Sequence, residues 1–509
     1  MSRTQSSIKN LITALIGQLF GILISFFSRI VFLHHLSAQY LGLNGLFGNI
    51  LAIFSLAELG VGTAMNFSLY KPLAEHDIQG VKSLMMLYRR TYIMIGCVIA
   101  GIGLMFTPFY TVFLDETPDV PHLTLIYLLF TANTVISYFF SYKRALIICD
   151  EKRYIATIYR YVFYFVLNIA QVIALIFTDN YILYLTLQII FTFAENVAVS
   201  VKANEMYPFL KDRNITPISK TVSTEIKKNI GAMLFHKIGG IVVMSTDNLI
   251  LSKYVGLIAV GIYSNYYLIT DALNKIIAQI FTSVTASVGN LSAIEESTDK
   301  IHLETAFYRL LFLNFWIYGF SACCLWILVN PFISLWLGSD MLFDKFTVLI
   351  IVINFYLTGI RKSVLTFREA TGAFYYDRYK PLIESLVNIV ASIVLAKQYG
   401  TAGVFLGTII STLTTCIWIE PYVLYKYVFQ KSANRYINRV AEYIIVTFVA
   451  CIVLSILCTI VNTKNLIYTF VCKMALCMFV PNIVFWCFFF RLDEFRYFAR
   501  LIKGLKKCL

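Results

Sequence analysis

Long apolar stretches, separated by short segments carrying charge, proline or glycine, run along almost the whole chain. A helix needs roughly 20 apolar residues to cross about 30 Å of hydrocarbon, and about fourteen stretches reach that length. They predict an all-α polytopic membrane protein. Among the predicted spans are 9–33, 41–69, 226–252, 256–288, 346–370, 380–398 and 401–428, their limits read from the flanking loops.

Inside several spans the polar residues recur at helical spacing. In the first, Gln18, Gly21, Ser25, Ser28 and Arg29 project onto one face roughly 100° wide. The second carries Asn44, Gly48, Ser55, Glu58, Gly62 and Asn66 in the same manner. The seventh presents Lys237, Gly240, Asp247 and Asn248; the eighth, Asp271, Asn274, Lys275, Thr282 and Thr285; the tenth, Asn354, Thr358, Arg361 and Arg368. An ionisable group at membrane depth is costly and usually faces a bundle interior or water, so these stripes predict a polar, positively charged central pathway.

Polar side chains also hold transmembrane helices together, and Lys or Arg near a span end reaches back to the headgroups. For Lys143, Arg144 and Arg368, near the cytoplasmic end, that second reading is preferred. For Arg29, Glu58 and Asp247 a hydrated cavity is preferred, because whole stripes recur in equivalent spans.

The recurrence shows as an internal repeat. Sliding the chain by about 219 residues sets Gln18, Gly21, Ser28, Arg29 and Gly42 against Lys237, Gly240, Asp247, Asn248 and Gly261. A shift of about 225 residues pairs Arg153 and Tyr154 with Arg378 and Tyr379. Both shifts skip an even number of spans, so the halves run in the same sense about a pseudo-two-fold axis along the membrane normal. The predicted organisation is a six-helix bundle over 1–207, a cytoplasmic linker over 208–225, a second six-helix bundle over 226–430, two further spans over 431–491 and a cytoplasmic amphipathic tail over 492–509.

Composition agrees. The 509 residues are 59% hydrophobic and 14% charged, with a mean hydropathy of +0.74, too apolar for a soluble domain. The net charge of +14 does not point to nucleic acid, since the basic residues are scattered among membrane loops. They concentrate in alternate loops, around Arg89, Arg90, Lys143, Arg144, Lys152 and Arg153 for example, and the intervening loops are nearly bare of them. The positive-inside rule then places both termini on the cytoplasmic side.

Chemistry in the usual sense is not expected. The cysteines fall mostly inside spans with no C-x-x-C pair, and the histidines are dispersed, so no metal, cofactor or catalytic residue is predicted.

The run Ala57-Glu58-Leu59-Gly60-Val61-Gly62-Thr63-Ala64, and the run Ser245-Thr246-Asp247-Asn248-Leu249-Ile250-Leu251-Ser252 followed by Gly261-Ile262-Tyr263, resemble the polysaccharide exporters of the MOP superfamily, nearest to Wzx-type repeat-unit flippases. The resemblance implies a flippase that moves undecaprenyl-diphosphate-linked oligosaccharide repeats from the cytoplasmic to the outer leaflet, for O-antigen, capsule or exopolysaccharide. It also implies membrane lipids, a polysaccharide polymerase and a chain-length regulator as partners.

The residues themselves suggest how such a substrate would be held. A diphosphate entering low dielectric needs cations with charge-assisted donors, and Arg29, Lys237, Lys275 and Arg361 are the candidates. Gln18, Ser25, Asn44, Ser55, Asn248, Asn274 and Asn354 are candidate polar cavity residues. Glu58, Asp247 and Asp271 are candidates for ion coupling, since buried carboxylates titrate near neutrality. Two rivals stand beside this reading. A multidrug or cation antiporter of the same superfamily would want a cavity of acids and aromatics. A membrane polysaccharide polymerase or ligase would want a sizeable external loop, and every predicted external loop is short.

Overall fold

The computed structural model describes residues 3–58, 60–116, 118–212, 245–292, 297–373, 376–461 and 465–508. Among them all regular secondary structure is helical. The chain divides into two compact units, Met1–Gly261 and Ile262–Leu509.

The first unit contains α1 (Arg3–His35), α2 (Ala38–Phe54), α3 (Val61–Ala74), α4 (Ile78–Met105), α5 (Leu123–Cys149), α6 (Arg153–Thr178), α7 (Tyr181–Met206) and a helical segment over 245–254. α8 (Leu257–Ser292) starts in the first unit and continues into the second. There it is followed by α9 (Ser297–Leu337), α10 (Lys345–Ile360), α11 (Lys362–Ala370), α12 (Lys380–Ser411), α13 (Ile417–Val423), α14 (Asn434–Ile460), α15 (Leu466–Phe489) and α16 (Asp493–Cys508).

Ten helices among the described residues are long and apolar enough to cross a membrane. One of these stretches, Lys380–Phe429, is 50 residues long, which at 1.5 Å per residue would extend about 75 Å and so crosses twice. The chain turns at Gly400, with φ 55° and ψ −130°, between the predicted spans 380–398 and 401–428.

The second predicted span, 41–69, is not one helix. α2 ends at Phe54, a single 3-10 turn covers Ser55–Glu58, and Gly60 adopts a left-handed φ of 79° before α3 begins at Val61. A glycine in that conformation ends a helix without the steric cost that a β-carbon would bring. The sequence pattern missed the break because apolar periodicity continues across it.

α13 is bounded by irregular turns as well. Thr412–Cys416 and Leu424–Phe429 form π-helical turns on either side of it. π-Helix occurs mostly as single turns of this kind inside α-helices, and such turns are frequent at functional sites.

Lipid gives no hydrophobic drive for one helix to join another, so packing and polar contacts hold each unit together. In the first unit α5 packs between α4 and α7 while α1 lies along α6. Tyr88, Tyr92, Tyr138 and Tyr142 form part of one buried cluster, and Phe47, Tyr110 and Tyr127 part of another. In the second, α9 is the centre, with α10, α14 and α15 around it and Phe315 stacked on Tyr443 at 4.2 Å between centroids. Outward residues such as Leu23, Phe27, Phe177 and Phe448 are exposed and apolar, as acyl chains require.

The second compact unit begins at Ile262, whereas the sequence put the start of the second bundle at 226. Most of the predicted linker 208–225, and residues 226–244, lie outside the described residues. The described end of the seventh span belongs with the first unit because glycines let the backbones meet. A β-carbon on Gly42 would sit 2.1 Å from the Leu257 carbonyl oxygen, and one on Gly45 would sit 2.8 Å from Val260. The predicted tail is a helix, α16, which sets Phe495 and Phe498 against Phe312.

Candidate functional site

The polar stripe of α1 faces α6. Ser25 shares a 2.8 Å hydrogen bond with the Tyr164 hydroxyl, and Ser28 donates to Asn168 at 2.8 Å. Arg29 is half-buried on the same stripe, with Tyr164 and Tyr184 as its electrostatic neighbours. Gln18 is half-buried about two to three turns before them. The stripe therefore both binds α1 to α6 and holds a guanidinium at membrane depth among hydroxyl groups.

The broken second span places Glu58 in a ring of tyrosines. Its carboxylate accepts a short hydrogen bond from Tyr92, and Tyr138 faces both Ser55 and Glu58. Tyr88 donates to Asn66 at 3.1 Å and stacks edge-on with Tyr92, their centroids 4.8 Å apart. Ser55 donates back to the Leu51 carbonyl at 2.9 Å, and Asn44 accepts from buried Tyr181 at 3.0 Å. The helix break thus holds a carboxylate inside the unit with phenol hydroxyls as its hydrogen-bond donors.

On the segment over 245–254, Asp247 and Asn248 are half-buried. The Asn248 side-chain oxygen is buried without a hydrogen-bond partner among the described residues. Lys237, predicted to share this stripe, lies outside the described residues.

In the second unit the predicted residues are held by partners. Lys275 is 59% exposed and paired with Asp271 at 2.6 Å, one helical turn away. Asn274 accepts from Tyr318 at 3.1 Å, and Asn354 donates to the Phe405 carbonyl at 2.8 Å, a contact that ties α10 to α12. Arg361 closes a bidentate pair with Glu420, Nε to Oε2 at 3.0 Å and Nη2 to Oε1 at 2.6 Å.

Glu420 is 0% exposed and also receives Lys380 at 2.6 Å, while Arg368 stands 3.9 Å away. Arg368 in turn bonds Asp377, and Lys380 reaches Glu384 at 3.0 Å. Arg368 was expected to reach the headgroups; it is instead 13% exposed inside this network. Arg144, read the same way, pairs with Glu195 at 2.5 Å and reaches Asn196 at 3.3 Å. Sequence reasoning missed both glutamates, although the offset of about 225 residues that aligns Arg153 with Arg378 also aligns Glu195 with Glu420.

No three His, Cys, Asp or Glu side chains among the described residues group as a metal site. No protein-family model and no curated protein matches the sequence. Solved structures do match. The lipid II flippase MurJ in an inward closed conformation has a TM-score of 0.65 and 15% identity, covering 94% of this chain and 98% of that one. An inward-facing multidrug resistance MATE family transporter of the MOP superfamily has a TM-score of 0.63 and 14% identity, covering 82% and 98%. A MOP superfamily transporter from Pyrococcus furiosus, described as having a binding pocket of reversed polarity, has a TM-score of 0.53 and 14% identity, covering 85% and 98%. With its membrane-spanning helices and broken second span, this chain has the fold of the MOP superfamily transporters and flippases.

Proposed function

We propose that the chain is an inner-membrane flippase, both termini cytoplasmic, that moves undecaprenyl-diphosphate-linked oligosaccharides to the outer leaflet by alternating access. The observation that carries this reading is the setting of Arg29, a guanidinium half-buried within a span beside Tyr164 and Tyr184. A diphosphate leaving water needs a fixed charge-assisted donor, and hydroxyl neighbours suit sugars. Likeness in fold to a lipid II flippase over 94% of the chain supports the substrate class.

Arg29 and Lys237 are the proposed headgroup contacts, with Lys275 and Arg361 contributing through their pairs with Asp271 and Glu420. Gln18 and Asn248 are proposed sugar contacts. Ser25, Asn44, Asn274 and Asn354 use their polar groups on neighbouring residues, so their proposed role is to shape the pathway. Glu58 is the proposed coupling carboxylate. O-antigen, capsule or exopolysaccharide assembly, with a polymerase and chain-length regulator downstream, is the proposed setting.

Reconstitution into liposomes containing a fluorescent undecaprenyl-diphosphate-linked sugar tests the reading. Wild-type protein should expose the sugar on the opposite leaflet, and Arg29→Ala should insert normally but lose that activity. The tyrosine-ringed Glu58 and the MATE-like fold favour a second reading, a multidrug or cation antiporter. Deleting the gene separates the two: accumulated lipid-linked repeats support the flippase, and lost drug resistance with unaltered polysaccharide supports the antiporter.

A further inference from the structure

Each unit carries an arginine-glutamate ion pair, Arg144 with Glu195 in the first and Arg361 with Glu420 in the second, and only the second sits among balanced charges. In the second, the three cations Arg361, Arg368 and Lys380 are matched by the three carboxylates Glu420, Asp377 and Glu384. Each charge has an opposite partner, although Arg368 Nε and Asp377 Oδ1 are buried and make no hydrogen bond among the described residues, so the contrast with the first unit lies in charge balance.

The first unit differs at the corresponding place. Arg144 on α5 is paired with Glu195 on α7. Its neighbour Lys143 donates to the neutral Ser200 hydroxyl at 2.7 Å and has no carboxylate partner among the described residues. Arg89 on α4 is exposed and is an electrostatic neighbour of both Lys143 and Tyr142. Among the described residues, Arg144 is ion-paired with one carboxylate and Lys143 with none. The Arg144 Nε is buried and has no acceptor among them.

Like charges brought together in a partly buried setting are costly, and a buried guanidinium N–H without an acceptor is costly too. A single ligand removes both costs if it is a compact polyanion with several acceptor oxygens. A carboxylate supplies one charge, and a phosphodiester one. A diphosphate supplies two or more, with oxygens enough for two guanidinium forks and an ammonium.

We infer that Arg89, Lys143 and Arg144 form a diphosphate-binding site at the end of α5 next to Lys152 and Arg153. It would take the headgroup of a polyprenyl diphosphate from the leaflet that those basic loops face. The site rests on the flippase reading and adds to it a point of capture distinct from Arg29. Lys143 and Arg144 are then not lipid-facing anchors; they are ligands for the substrate's phosphates.

The test uses full-length protein in phosphatidylcholine nanodiscs titrated with inorganic pyrophosphate by calorimetry. Arg89→Gln and Lys143→Gln should each weaken binding at least ten-fold, and the exposed Lys345→Gln should leave it unchanged. The double variant Arg144→Gln/Glu195→Gln removes the ion pair without stranding a charge and should weaken binding similarly. Ligand-free melting temperatures of Arg89→Gln and wild type should agree, which separates lost binding from lost folding.

Doping the nanodiscs with a polyprenyl diphosphate should compete with pyrophosphate, and phosphatidylglycerol at the same mole fraction should not. Absence of pyrophosphate binding by the wild type, or equal binding by both single variants, overturns the site. Equal competition by phosphatidylglycerol overturns the diphosphate assignment and makes the patch a contact for any anionic lipid. Flipping assayed on the same samples keeps the two ideas apart. Variant-sensitive pyrophosphate binding without wild-type flipping removes the flippase and keeps the site; normal flipping with unchanged binding does the reverse.

Discussion

The backbone of Gly261 crosses that of Gly42 so closely that a β-carbon on Gly261 would sit 3.3 Å from the Gly42 amide nitrogen and 2.1 Å from the Ala38 carbonyl oxygen. The sequence repeat pairs these same two glycines. At Gly261 the obstacle to any larger residue is main chain alone, and at Gly42 it is the Leu257 carbonyl oxygen at 2.1 Å with the Leu257 Cγ at 2.6 Å. Gly42→Ala and Gly261→Ala should each cost about 2–3 kcal/mol, the upper part of the range for overpacking. Thermal unfolding in detergent reads this directly, and unchanged midpoints in both variants would show that the crossing is loose.

The Glu420 network gives an order of effects. Glu420→Ala leaves Arg361 and Lys380 buried without their shared carboxylate and should cost about 3–5 kcal/mol. Arg361→Ala leaves Glu420 still neutralised by Lys380, so its loss should be smaller. Melting temperatures of the two variants decide the order; a greater loss for Arg361→Ala would mean that Lys380 does not neutralise Glu420.

Glu58 should matter for energy coupling more than for folding. Glu58→Gln keeps the shape of the side chain and its contact with Tyr92 while removing the titratable proton. Transport by this variant should lose its dependence on an imposed pH gradient, with expression and melting temperature near those of wild type. A gradient response equal to wild type would transfer the coupling role to Asp247 or Asp271.

Outside the membrane, Asp344 caps α10, accepting from the Phe346 and Thr347 amides at 2.9 and 3.1 Å and from the Thr347 hydroxyl at 2.5 Å. Burial pushes its carboxyl up, but the bonds from Thr347 and Phe346 outweigh that and hold it below the ordinary value. A depressed folded-state value means stability that is present above the unfolded value near 4 and lost as pH falls through the folded one. Asp344→Ala should therefore lower stability at pH 7 by about 1 kcal/mol, the usual worth of such a cap. The gap between variant and wild-type melting curves should narrow as pH falls below about 4; a constant gap would mean that the cap does not depend on its charge.

The helical class was legible because bilayer thickness sets the length of apolar runs. The division at Gly400 was legible too, between 398 and 401, because a charged and polar stretch, Lys397-Gln398-Tyr399, marks it. The break at Gly60 was not, since Ser55 and Glu58 keep helical spacing on either side of a backbone conformation that periodicity does not encode. Partners were the hardest to read. A stripe shows that Arg361 has a polar side; it does not show that Glu420, about 59 residues on, will occupy it. Arg144 and Arg368 look like surface cations by position in a span, and only packing reveals the acids beside them.

The π-turns at Thr412–Cys416 and Leu424–Phe429 each hold one residue more than an α-helical turn would. An α-helix advances its side chains by about 100° per residue, so the azimuth at which Glu420 leaves its helix depends on the surplus residue upstream. Deleting one residue from Thr412–Cys416 would let that turn relax to α-helical bonding and swing the carboxylate away from Arg361. The aim of the fully buried Glu420 carboxylate is thus set by chain length over a single turn as much as by the identity of the acid itself.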